Sequence, residues 1–174
     1  GLVAAVSLAC LFATATGRLE ADGYRFVIPT IEARPCDDVR LTVQGDHEKS
    51  AQGFSLAARY PSDRLEIHRI HMEGTILEAI HADYFEATIS PEDGTLGVGL
   101  LVDSRPPFDG VLIPSIGEPL DFLYIEATVL ETAKEDLKIK FEDGLSPPPI
   151  SNLFSVDSQS VRVTDLGEGV IRLY

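Results

Sequence analysis

The chain has 174 residues and a formal net charge of −14, from 14 basic and 28 acidic side chains. That length is enough to bury a core without metal or disulfide staples, and 44% hydrophobic against 24% charged residues excludes a disordered chain. A surface this acidic repels phosphate backbones and anionic bilayers, so nucleic acid and acidic membrane surfaces are excluded as ordinary partners.

Leu2 to Thr16 is a run of small and apolar residues. It is shorter than the roughly 20 residues that a bilayer-crossing helix needs. It ends in Ala13-Thr14-Ala15-Thr16-Gly17, the kind of small-residue stretch at which signal peptides are cut. Residues 1–17 are therefore expected to be part of a signal peptide, residues 18–25 a polar lead-in, and residues 26–174 the folded domain of a secreted or cell-surface protein. The alternative is a buried N-terminal helix or strand. With Cys10 removed, Cys36 has no partner, so no disulfide framework is expected. Cys36 lies in the turn-like Arg34-Pro35-Cys36-Asp37-Asp38 with no His nearby in sequence, which argues against a nucleophile.

From Phe26 onward the pattern is one of strands. Phe26–Ile31 reads as a first strand, and Pro29 inside it marks an edge or a bulge. Val39, Leu41 and Val43 alternate with polar neighbours, the period of a half-buried strand. Phe54, Leu56, Ala58 and Tyr60 repeat that alternation, and Leu65 and Ile67 follow after the turn at Pro61-Ser62-Asp63-Arg64. Gly74–Ala82 is expected to be a short helix or an irregular loop. Phe85, Ala87 and Ile89 alternate up to Ser90-Pro91-Glu92-Asp93-Gly94, a strong hairpin turn, after which Leu96, Val98, Leu100 and Val102 continue. Gly97 and Gly99 lie between them, leaving bare backbone on the outward face.

Ser104–Pro119 is a long Pro-containing loop of the kind that is functional or pinned by packing. Phe122–Leu130 is a strand, with Phe122, Tyr124, Glu126 and Thr128 opposite Leu123, Ile125, Ala127 and Val129. Leu137, Ile139 and Phe141 alternate with Lys138 and Lys140. After the break at Ser146–Pro149 come short extended pieces at Leu153–Val156 and Ser160–Val163, and Val170–Tyr174 closes the chain. About nine strands with regular turns predict an all-β sandwich.

No constellation for chemistry emerges, and no cofactor or metal site is expected. His68 and His71 have the H-x-x-H spacing, but on a regular strand positions three apart face opposite ways. His47 falls in a turn and His81 in a loop. There is no G-x-S-x-G elbow, and Gly97-Val98-Gly99 lacks the third Gly and the helix of a dinucleotide fingerprint. Lys138 and Lys140 should share an outward face, joined by Arg59 if its strand is adjacent. That basic patch would suit an acidic partner, or else the lysines protect a sheet edge from aggregation.

The string Gln52–Ile67, with an apolar strand, a Tyr60-Pro61-Ser62-Asp63 turn and then Leu65-Glu66-Ile67, resembles cohesin domains. Pro35-Cys36-Asp37-Asp38-Val39 resembles their Pro-Gly-Asp-x-Val turn, with Cys36 where Gly is common. Asp93-Gly94-Thr95-Leu96 and Phe141–Asn152 are similar to a central hairpin and an end segment of bacterial cohesin-like proteins. The resemblance covers Phe26 to Tyr174. It implies a nine-stranded jelly roll, related to carbohydrate-binding modules, that binds a dockerin module on one flat sheet face. That face would use the strands Gln52–Tyr60, Asp83–Ser90, Thr95–Asp103 and Leu137–Glu142. By alternation its outward residues would be Ser55, Ala57, Arg59, Tyr84, Glu86, Gly97, Gly99, Leu101, Lys138 and Lys140, with Tyr84 and Leu101 as apolar anchors. The expectation is a non-catalytic exported module that binds a protein. The alternative is a carbohydrate-binding module, and against it stand the absence of Trp and the presence of only 5 Tyr, too few for a sugar platform.

Overall fold

The structure, a computed structural model, describes residues 23–145 and 148–174. The expected signal peptide, Cys10 and most of the lead-in lie outside the described residues. The domain is a jelly-roll β-sandwich. The smaller sheet orders β1 (Tyr24–Val27), β3 (Asp38–His47), β8 (Leu120–Val129) and β5 (Leu65–His71). The larger contains β6 (Tyr84–Ser90), β7 (Thr95–Leu101) and β4 (Gly53–Arg59). Along its far side β4 is shared by two strands, β10 (Leu153–Val156) at one half and β9 (Leu137–Phe141) at the other. Beyond β10 lies β11 (Gln159–Arg162), and beyond β9 lie β12 (Glu168–Leu173) and β2 (Ile31–Ala33).

The described residues form more strands than the nine expected, and Pro29 is one reason. The expected first strand divides there into β1, on the edge of the small sheet, and β2, on the edge of the large one. A residue that cannot donate to a ladder is placed where the chain crosses between layers. β1 also begins at Tyr24, inside the expected lead-in. The segment Gly74–Ala82 holds one short helix, α1 (Ile76–Ala79), whose first turn is capped by the Thr75 hydroxyl accepting from the Leu77 N–H.

Two bulges alter the expected alternation. In β8, Val43 faces Leu123 and Gln44 faces Asp121, so Phe122 is left without a cross-strand partner. The extra residue rotates Phe122 into the core, where it is fully buried, rather than onto the outer face with Tyr124 and Glu126. In β5 the bulge falls at His68, between Ile67 and Arg69. It brings His68 and His71 to one face, against the expectation for a regular strand.

The core is aromatic at its centre. Phe26 stacks on Phe154 with centroids 4.8 Å apart, and Phe54 on Phe122 at 5.0 Å. Phe141 and Tyr24 border this group. His47 is enclosed with it, 5.3 Å from the Phe154 ring, and its Nδ1 is 2.8 Å from the Lys49 carbonyl. Aromatic pairs add to the stabilisation from buried area alone.

Candidate docking face

The outer face of the large sheet is built from cross-strand rows. Ser90, Thr95, Arg59, Lys140 and Glu168 form the row next to the β6–β7 turn. Thr88, Gly97 and Ala57 form the next. Glu86, Gly99, Ser55, Leu153 and Arg162 follow, and Tyr84, Leu101, Gly53, Ser155 and Ser160 complete the face. The four strands expected to form one face thus lie side by side in the order β6-β7-β4-β9.

The turn that aligns β6 with β7 depends on Gly94. Its φ is +60°, and a Cβ there would sit 2.6 Å from the Tyr60 carbonyl oxygen. Only glycine accommodates both conditions.

The expected site residues divide by exposure. Arg59, Tyr84, Glu86, Leu101, Lys138 and Lys140 are exposed, while Ser55 and Gly99 are half-buried. Ala57 and Gly97 are buried, although alternation places them on this side. The reason for Ala57 lies in the described residues between β9 and β10, 143–145 and 148–152. The Ala57 N–H donates to the Asn152 side-chain oxygen at 3.0 Å, and the Ser55 hydroxyl donates to the Ser151 carbonyl at 2.6 Å. Ala57 and Leu145 are both buried yet belong to no part of the main core.

Asp143 ties this segment down. One carboxylate oxygen accepts from the Asn152 N–H at 2.6 Å and from its side-chain amide at 3.1 Å. The other accepts from Arg162, through Nε at 2.8 Å and through the terminal guanidinium nitrogen. Burial opposes the Asp143 charge, but the Asn152 and Arg162 donors outweigh it and hold the carboxyl below its usual range.

The result is a groove of about 460 Å3 rather than a flat surface. Ser55, Gly97 and Gly99 lie in its floor. Tyr84, Glu86, Thr88 and Ser90 line it on the β6 side, and Pro148 and Ile150 on the other. The Tyr84 hydroxyl donates to Glu86, and that bond raises the phenol pKa. At the groove's end Tyr84 pairs with Leu101, and both are exposed, 38% and 42%.

The opposite end is charged. Arg59 is registered with Lys140, so the predicted basic trio does form. Arg59 donates to Glu142 at 3.1 Å and Lys138 to Glu168 at 2.7 Å, which lowers the pKa of both carboxyls. The lysines do not protect an edge, because β9 lies inside the sheet between β4 and β12.

On the other sheet a shallow depression of about 420 Å3 is lined by Asp38, Arg40, His68 and Glu126 among others. Among the described residues no three metal-ligating side chains converge, and no helix is long and apolar enough to cross a membrane.

That residues beyond β9 pack against Ala57, and that the core centre is aromatic, were not anticipated from sequence. The available signal was Asp143-Gly144 followed by Pro-rich chain, a turn beside a strand end.

No family model matches the sequence, and no curated protein matches it. Solved structures do. The cohesin of a Clostridium thermocellum OlpA cohesin–Doc918 dockerin complex superposes with a TM-score of 0.65 at 18% identity, over 88% of this chain and 100% of that one. The sixth cohesin of Acetivibrio cellulolyticus scaffoldin B, solved with a mutant Cel5 dockerin, gives 0.61 at 17% identity, over 87% and 99%. A non-cellulosomal cohesin from the archaeon Archaeoglobus fulgidus gives 0.59 at 17%, over 87% and 91%. The fold of this chain is the cohesin fold.

Proposed function

We propose that this cohesin-fold domain is a non-catalytic module that docks a protein partner of dockerin type on the β6-β7-β4-β9 face. The observation that carries the reading is the open groove over Gly97 and Gly99, ending in the exposed pair Tyr84 and Leu101. Bare backbone in the floor admits a close approach, and two apolar side chains beside it supply anchors of the kind that concentrate binding energy. The basic group of Arg59, Lys138 and Lys140 at the other end orients the partner rather than supplying affinity. An exported location is supported by the short apolar run at Leu2–Thr16. The carbohydrate alternative finds no support in the groove, where Tyr84 is the only aromatic lining residue among the described residues.

The test is calorimetric titration of the domain with a panel of purified dockerin modules that includes Doc918 and the Cel5 dockerin. At least one should bind. A Cβ at Gly99 would lie 3.7 Å from the Tyr84 ring, in ordinary contact, so a side chain there projects into the groove without disturbing the sheet. Gly99→Glu is expected to weaken binding by about 100-fold while leaving the melting temperature near that of the parent. Retention on polysaccharide with no dockerin bound overturns the reading.

A further inference from the structure

We infer that the loop Ser104–Pro119 is a second contact patch for the same protein partner, so that docking continues from the sheet face over the end of the sandwich. The inference rests on the face being the docking surface. The loop is firmly tied. The Asp83 carboxylate accepts from the Ser104 and Arg105 N–H groups, both at 2.9 Å. Asp103 accepts from the N–H groups of Asp109 and Gly110, at 3.2 and 2.7 Å. Ala51 and Ile113 exchange backbone hydrogen bonds at 3.0 and 2.8 Å, and the Ser115 hydroxyl donates to the His47 carbonyl at 2.6 Å.

A loop held this way has settled which side chains it buries. Ile113 is 0% exposed, yet Phe108, Ile116 and Leu112 are 69%, 54% and 42% exposed. Keeping three large apolar groups in water on an ordered loop is unfavourable for an isolated domain and is the mark of a contact surface.

Position identifies the occupant. The loop starts beside the exposed Tyr84–Leu101 pair, since Asp83 precedes Tyr84 and Ser104 lies just past Leu101. The loop therefore leaves the large sheet at the same end as that apolar pair. A second copy of this chain is disfavoured by the net charge of −14 that each copy carries. A partner already seated in the groove meets the loop with no further loss of translational freedom.

The double variant Phe108→Ser/Ile116→Ser tests this. Its melting temperature should stay within about 2 °C of the parent, because exposed side chains contribute little to the fold. Its affinity for the dockerin that binds the parent should fall about tenfold or more, mainly through faster dissociation. Unchanged affinity overturns the loop patch and leaves the face intact. A clear loss of thermal stability also overturns it, since the residues would then be structural. If the parent binds no dockerin of the panel, the face and the loop patch fall together.

Discussion

Cys36 occupies a backbone conformation that suits glycine. Its φ is +72°, and it follows Pro35 in a turn closed by the Asp37 N–H donating to the Arg34 carbonyl at 3.1 Å. This is the third position of a type II turn, which requires positive φ. A β-carbon there is strained, by about 1–3 kcal/mol for a non-glycine residue. Cys36→Gly is expected to raise stability by about 1 kcal/mol, after allowing for the greater freedom of glycine in the unfolded chain. Urea denaturation of the two proteins decides the sign, and a lower midpoint for the variant would refute the assignment. The turn itself was legible in Pro35-Cys36-Asp37. That Cys36 bears its strain was also hinted there, because the resemblance put Cys where Gly is common.

At the scale of elements, the described residues 143–145 and 148–152 decide the shape of the face. They cover Ala57 and supply one wall of the groove through Pro148 and Ile150. Asp143 is their anchor, and Asp143→Ala leaves Asn152 and Arg162 donors without their acceptor. The expected cost is about 1–3 kcal/mol, the usual penalty for partly buried donors left unmade. Hydrogen exchange should show faster exchange at Gly144, Ile150 and Asn152 with little change in β7; uniform acceleration across the sheet would instead mean global destabilisation. Sequence alternation put Ser55, Arg59, Tyr84, Glu86, Leu101, Lys138 and Lys140 on the outer side of the sheet, where their cross-strand register also puts them, because each strand there is regular. It could not show Ala57 covered, since the covering residues lie about a hundred positions away in the chain. Nor could it locate the bulges at His68 and Phe122, which arise from how one strand registers on another.

For the molecule as a whole, His47 makes stability depend on pH. Burial lowers its pKa, outweighing the Lys49 carbonyl that accepts from Nδ1–H, and its Nε2 has no partner among the described residues. The folded state therefore favours the neutral ring, while the unfolded chain takes up a proton near pH 6.5. Below that value the unfolded state binds more protons, so stability falls as pH falls. Comparing denaturation midpoints at pH 7.5 and 5.5 should show a drop for the parent and a smaller one for His47→Phe, whose ring would join Phe122 and Phe154. Equal drops in both would assign the acid sensitivity elsewhere. The aromatic centre around His47 unites β1, β3, β4, β8 and β10, so this one titration bears on both sheets at once.

The two-layer architecture and the inward side of most strands were determined by the sequence alone, because side chains alternate every two residues whatever the neighbouring strand is. The hairpin at Ser90–Gly94 and the long loop at Ser104–Pro119 were equally local, set by residues adjacent in the chain. The groove, the covered alanine and the bulged residues that changed sides were decided only by the tertiary structure. Each depends on strand register and on a distant segment folding back, and contacts between remote residues leave no periodic trace in a single sequence.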